Sequence, residues 1–194
     1  GEPERAIETY HRLLQLKPGY DLARNNLGGL YWLQGRKEEG LREFEEAARM
    51  DPELHDAQFN LGMAAADQGR WDDAIRHYER AIDIHPQYLE ALAGLATALI
   101  RQQQFEAAER PLLKLLELQP TNAAPRLNLG DLRRITGNPE AAIEQYNEAL
   151  RLEPKLADGH FKLGTLLTEQ GRLPAAEEAL RKAVMLAPQE PRAF

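Results

Sequence analysis

The chain has 194 residues, 43% of them hydrophobic, enough to bury a core, and its formal net charge of −7 with a pI near 5.3 speaks against a phosphate-binding surface, because nucleic-acid binders carry a basic footprint. Cysteine is absent, which excludes disulfides and thiolate metal sites and leaves localisation unknown. The longest apolar runs, such as residues 95–100, fall far short of the roughly 20 residues a membrane helix needs.

From the N-terminus onward, prolines punctuate the chain at a fixed interval: Pro18, Pro52, Pro86, Pro120, Pro154 and Pro188 are each 34 residues apart. Placing the proline at position 32 of a 34-residue unit makes residues 1–20 the second half of a unit. Full units then span 21–54, 55–88, 89–122, 123–156 and 157–190, and 191–194 open a further one. Position 7 is Leu27, Leu61, Leu95, Leu129 and Leu163. Small residues recur at position 8 (Gly28, Gly62, Ala96, Gly130, Gly164) and position 20 (Gly40, Ala74, Ala108, Ala142, Ala176). Position 27 is Ala47, Ala81, Leu115, Ala149 and Ala183, while position 24 is large: Phe44, Tyr78, Leu112, Tyr146 and Leu180. A mid-helix glycine costs about 0.5–1 kcal/mol relative to alanine, so its recurrence requires a compensating gain.

These positions resemble the tetratricopeptide repeat, and the resemblance covers the whole chain. It implies an all-α fold, an α-solenoid of antiparallel helix-turn-helix repeats wound into a right-handed superhelix. The small residues are then notches where two helix backbones approach, and their propensity cost is offset by apolar area buried at about 25 cal/mol per Å². First helices (A) are expected over 22–34, 56–68, 90–102, 124–136 and 158–170. Second helices (B) are expected over 4–17, 38–51, 72–85, 106–119, 140–153 and 174–187. Gly35, Gly69, Gly137 and Gly171 stop four of the five A helices, and Pro139 and Pro174 sit near B-helix starts, where a missing N–H costs nothing.

The unit at 89–122 departs from the pattern, with Ala96 for glycine, "QQQF" for the glycine turn, Leu115 for alanine, and Pro111 inside helix B. Pro111 lies beyond the first turn, so a kink or local distortion is expected there.

Catalytic chemistry finds little support. Serine is absent along with cysteine, which removes Ser/His/Asp and Cys/His arrangements. The histidines His11, His55, His77, His85 and His160 form no i, i+4 pair and no H-E-x-x-H helix, so no metal site is expected. The glycines of "GGLYWLQG" and "LGDLRRITG" follow no strand and make no phosphate loop.

In the family the chain resembles, helix A lines the concave groove. Positions 2, 5, 6, 9, 12 and 13 share one helix face. Position 5 supplies Asn25, Phe59 and Leu127, with Phe161 in the last unit; position 6 supplies Asn26, Asn60, Asn128 and Lys162, interrupted by Gly94; position 9 adds Met63 and Asp131. The asparagines resemble the ladder lining the superhelix of O-linked N-acetylglucosamine transferases, and an amide offers both donor and acceptor to a peptide backbone. A carboxylate clamp like that of chaperone-tail-binding relatives is not expected, since only Asn128 and Lys162 fit it and Ala93, Thr97 and Asp158 do not. Acidic groove positions (Asp56, Asp67, Glu90, Asp131, Asp158, Glu169) outnumber Arg101, Arg134 and Lys162.

The residues therefore point to a noncatalytic protein-protein interaction scaffold, without cofactor, that binds another protein or a peptide of mixed apolar and basic character in its groove. Nucleic acid and membrane insertion are not expected. Two alternatives stand: a structural subunit that assembles end to end into homo-oligomers or filaments, and an accessory domain of a larger enzyme such as a glycosyltransferase. "PRAF" at 191–194, with Phe194 where the pattern prefers an aromatic, is expected to continue in a longer parent.

Overall fold

The computed structural model describes residues 2–186, and among these every regular element is an α-helix. The second half-unit forms α1 (Glu2–Leu16). There follow α2 (Asp21–Leu33) and α3 (Lys37–Met50), α4 (His55–Asp67) and α5 (Trp71–Ile84), and α6 (Leu89–Arg101). The remainder comprises α7 (Phe105–Leu118), α8 (Ala123–Ile135) and α9 (Pro139–Leu152), and α10 (Ala157–Glu169) and α11 (Leu173–Leu186). Each A helix begins and ends one residue earlier than the sequence pattern suggests, a frayed-end difference that leaves every face assignment intact. Pro188 and the stretch 191–194 lie outside the described residues.

The chain divides into two compact units at Gln104/Phe105, inside the divergent "QQQF" turn. In the first unit α1 packs on α2, α2 and α3 form a hairpin, α3 packs on α4, α4 and α5 form the next hairpin, and α5 packs on α6. The A helices of this unit also touch one another, α2 with α4 and α4 with α6. In the second unit α7 packs on α8, and the hairpins α8/α9 and α10/α11 are joined through α9 against α10.

Local turn chemistry explains the hairpins. Gly35, Gly69, Gly137 and Gly171 all adopt φ between 71° and 77°. Each is followed by a residue whose N–H returns to the A helix: Arg36 to the Tyr31 carbonyl at 2.9 Å, Arg70 to Ala65 at 2.9 Å, Asn138 to Arg133 at 2.8 Å and Arg172 to Leu167 at 2.9 Å. With the inner bond from Gly35 N–H to the Trp32 carbonyl at 3.0 Å, this is the Schellman pattern, which satisfies carbonyls the helix end leaves open. In the divergent turn Gln103 takes the same left-handed conformation, φ 58°, and Gln104 N–H bonds the Leu99 carbonyl at 2.9 Å. The turn survives without glycine because a single αL residue costs only about 1–2 kcal/mol.

Helix starts are weakly capped. Tyr20, Leu54, Tyr88 and Leu156 precede A helices without a side-chain cap; only Asn122 supplies one, its Oδ1 accepting from Ala124 N–H at 3.0 Å. Packing therefore carries the helices. Leu27, Phe44, Ala47, Ala74, Ala81, Ala108, Leu112, Ala142, Tyr146 and Ala149 are sealed from solvent. The glycine notches are literal: a Cβ at Gly62 would lie 2.7 Å from Cδ1 and Cε1 of Tyr78, and one at Gly164 would lie 2.7 Å from Cγ of Leu180.

Pro111 does not interrupt α7, which runs as one helix from Phe105 to Leu118. The missing N–H leaves the Ala107 carbonyl without its helical partner, while the ring itself is buried with Leu112 and Leu115. Burial of the ring compensates for the lost hydrogen bond.

Candidate functional site

The 3.6-residue period puts positions 2, 5, 6 and 9 of each A helix on one side, and the structure sorts them by depth. In the first unit Asn26 is exposed, and Phe59, Asn60 and Met63 are half-buried. Asn25 is different. At 6% exposure it is buried, and its Oδ1 accepts from Asn60 Nδ2 at 2.8 Å. A buried amide needs a partner, and position 5 of α2 finds one at position 6 of α4. Asn25 is thus a support that orients Asn60 and not an exposed groove residue.

Phe59 belongs to an aromatic group that the sequence pattern does not reveal. Its ring centroid lies 5.8 Å from Tyr78 and 5.3 Å from Tyr88. The Tyr88 hydroxyl donates to Asp56 Oδ1 at 2.8 Å, and the His55 ring stands edge-on to Tyr88 at 5.0 Å. Burial first, then the hydrogen bond to the Asp56 carboxylate, push the Tyr88 phenol well above its usual pKa. The signal that could have flagged Tyr88 is its place just before an A helix, where Tyr20 also stands.

Gly94, which interrupts the asparagine ladder, has a steric cause. A Cβ there would lie 2.7 Å from Cζ of Tyr78 and 2.9 Å from both Cε atoms, so no asparagine fits while Tyr78 keeps its place.

In the second unit Asn128 is exposed and Phe161 sits at 36% exposure. Leu127, expected as an exposed apolar anchor, is instead 6% exposed and belongs to the core with Tyr146, Leu150, Leu163 and Leu166. The reason lies in α10: Gly159 has no side chain, and a Cβ there would lie 2.9 Å from Cδ2 of Leu150 and 3.4 Å from Cδ2 of Leu127, so the two leucines share that space. Asp131 accepts from the Tyr146 hydroxyl and from Lys162 Nζ, each at 2.7 Å, and Lys162 is also 3.8 Å from Asp158. Burial and the bond to Asp131 hold the Tyr146 phenol far above its usual pKa.

The acidic excess of the A face is partly neutralised. Asp67 pairs with Lys37 at 2.7 Å, Glu169 with Arg134 at 3.0 Å, and Asp131 with Lys162. Lys37 belongs to a B helix, outside the positions a groove reading would count. Such half-exposed pairs are worth about 0–1 kcal/mol each, so they set the local field more than the stability.

Among the described residues no three His, Asp or Glu side chains converge as metal ligands, and no helix is long and apolar enough to cross a membrane.

Known proteins place this architecture. A tetratricopeptide repeat description matches residues 65–127, and another matches 1–55, 34–88 and 127–191. Curated protein sequences give no match. Among solved structures, YrrB, described as a tetratricopeptide protein with an unusual peptide-binding site, superposes with a TM-score of 0.79 at 19% identity, covering 95% of each chain. MamA from Desulfovibrio magneticus RS-1 gives 0.80 at 22% identity over 88% of this chain and 96% of its own. A chain of the APC/C hetero-tetramer Cut9-Hcn1 gives 0.75 at 20% identity over 98% of this chain and 38% of its own. Identities this low speak for the fold. The 34-residue period, the glycine notches under Phe44, Tyr78 and Tyr146, and the matches along the chain agree, and the protein belongs to the tetratricopeptide repeat family.

Proposed function

We propose that this chain is a noncatalytic scaffold that binds a polypeptide on the face formed by its A helices. One observation carries the reading: in the first unit Asn60, held in place by buried Asn25, shares the A-helix face with Asn26, Phe59 and Met63, on helices that touch each other directly. An amide fixed by a hydrogen bond loses little freedom on binding, and its remaining donor and acceptor suit an extended backbone. The half-buried Phe59 and Met63 offer apolar contact for partner side chains. In the second unit Asn128 and Phe161 repeat the amide-plus-aromatic theme beside the Asp131–Lys162 pair. YrrB, whose fold is similar, is itself described as having a peptide-binding site. The absence of serine and cysteine and the lack of convergent metal ligands among the described residues support a binding role over a catalytic one.

Asn60→Ala is expected to leave helicity unchanged and weaken peptide binding by about 1 kcal/mol, the net value of a hydrogen bond to a buried amide. Isothermal titration with a peptide selected from a random display library checks this, and equal affinity for both proteins would remove Asn60 from the site.

Self-association is a second reading, favoured by the outer face of α11. Leu173 and Val184 are exposed there, and with Ala176 and Leu180 they line a shallow apolar depression of about 530 Å³. The corresponding face of α9 is covered by α10. Light scattering across about a hundredfold range of concentration is expected to show growing assemblies under this reading, whereas a constant monomer mass excludes it.

A further inference from the structure

Tyr78 stands at position 24, the position that fills the space between the helices of a hairpin, and its ring does so against Gly62. Its hydroxyl does something else. The ring tip passes beneath Gly94 on the neighbouring α6, where a Cβ would lie only 2.7 Å from Cζ. Tyr78 is 5% exposed, yet its hydroxyl has no hydrogen-bond partner among the described residues. It is not sealed either: the fully buried side-chain atoms without a partner are Nε of Arg24 and Nε of Arg126.

The second unit supplies the contrast. Tyr146, at the same position of its repeat, donates its hydroxyl to Asp131 at 2.7 Å. Asp131 is position 9 of its A helix, and position 9 of α4 is Met63, whose thioether is a poor acceptor. The same tyrosine is therefore internally satisfied in one unit and left with an open donor in the other. Gly94 has no side chain to lie over the ring tip, Phe59 stands 5.8 Å from the Tyr78 ring, and positions 5, 6 and 9 of α4 and α6 carry no charged side chain. Burial raises the Tyr78 phenol pKa, so it stays protonated and can only serve as donor or neutral acceptor at ordinary pH.

We propose that Tyr78 is a peptide-reading residue: its hydroxyl, exposed through the gap at Gly94, donates to a main-chain carbonyl of an uncharged, apolar-flanked stretch of polypeptide lying across α4 and α6. The inference rests on the peptide-binding reading above and adds to it the residue that selects that stretch. A carbonyl fits because it accepts without bringing charge, whereas a carboxylate would give up its hydration where positions 5, 6 and 9 of α4 and α6 offer no cation to pair with it.

The test uses the whole chain and a 12-residue peptide, the probe, chosen from a random display library panned on it, with Tyr78→Phe and Asn60→Ala as variants. Phe44 occupies position 24 of the first hairpin, so Tyr78→Phe keeps the packing and is expected to melt with the wild type. It is expected to raise the Kd for the peptide about threefold to tenfold. In the wild type, peptide addition is expected to bring the Tyr78 hydroxyl proton into slow exchange by NMR, a change that a purely packing role would not produce. If Asn60→Ala weakens binding while Tyr78→Phe and the hydroxyl proton show no effect, the role of Tyr78 is overturned and the A-face reading stands. If the library yields no peptide, or the peptide ignores Asn60 as well, the A-face reading falls and takes this inference with it.

Discussion

Tyr146→Ala is expected to destabilise the protein by about 3–5 kcal/mol. Tyr146 is sealed from solvent at 0% exposure and is the largest of the fully buried side chains. Its ring covers Gly130, which cannot expand to fill the void, and packs in a core with Leu127, Ala149 and Leu163. The neighbours are held on two hairpins and a joining helix pair, so collapse into the cavity is restricted and the cavity term stays near its full value. Tyr146→Phe separates ring from hydroxyl. It is expected to cost about 1 kcal/mol, because Asp131 loses one donor and keeps Lys162 at 2.7 Å. Urea denaturation of the two variants measures both values, and a Tyr146→Ala cost below about 1 kcal/mol would contradict the packing described.

Two adjacent glycines are expected to respond to alanine with opposite signs. Gly28→Ala places a Cβ 2.7 Å from Cδ1 and Cε1 of Phe44 and 2.9 Å from the Gly40 carbonyl oxygen. The ring can shift by tenths of an ångström, but the carbonyl belongs to the α3 backbone, so α2 and α3 must separate. Overpacking of this kind costs about 1–3 kcal/mol, against which alanine returns about 0.5–1 kcal/mol of helix propensity, leaving a net loss of about 1–2 kcal/mol. Gly29→Ala meets nothing within 4 Å and is expected to stabilise by about 0.4–1 kcal/mol. Thermal melts of the two variants settle the sign, and a loss at position 29 equal to that at 28 would show that helix geometry and not the notch governs both sites.

Gly28 and Gly29 illustrate what could be read beforehand. Gly28 was legible as a notch because a small residue stands at its position every 34 residues with a large residue sixteen positions later, whereas Gly29 has no counterpart in the other repeats and no such role. The candidate face was legible only in outline. Asn26, Asn60, Met63, Asn128, Asp131, Phe161 and Lys162 do reach the surface or half reach it, as their helical period requires. Asn25 and Leu127 do not, although they share position 5 with the half-exposed Phe59 and with Phe161. Period alone cannot separate them, because depth at position 5 depends on the neighbouring hairpin: Asn60 for Asn25, and the empty site at Gly159 for Leu127.

The sequence by itself determined the helices, their order and their antiparallel pairing, because these follow from local causes: a left-handed turn residue, prolines that end helices, and small and large residues spaced for close helix contact. Even the one-residue offset of each A helix stays within what local reading allows. Tertiary structure alone decided which polar groups are spoken for. Tyr88 with Asp56, Lys162 with Asp131 and Asn60 with Asn25 are contacts between residues 31 to 35 apart, set by how one hairpin leans on the next. Tyr78 and Tyr146 are the sharpest instance: one residue type at one repeat position, satisfied by Asp131 in one unit and left open under Gly94 in the other, because only the packing of the hairpins shows that the hydroxyl at position 24 meets the side chain at position 9, which is Asp131 in one repeat and Met63 in the other.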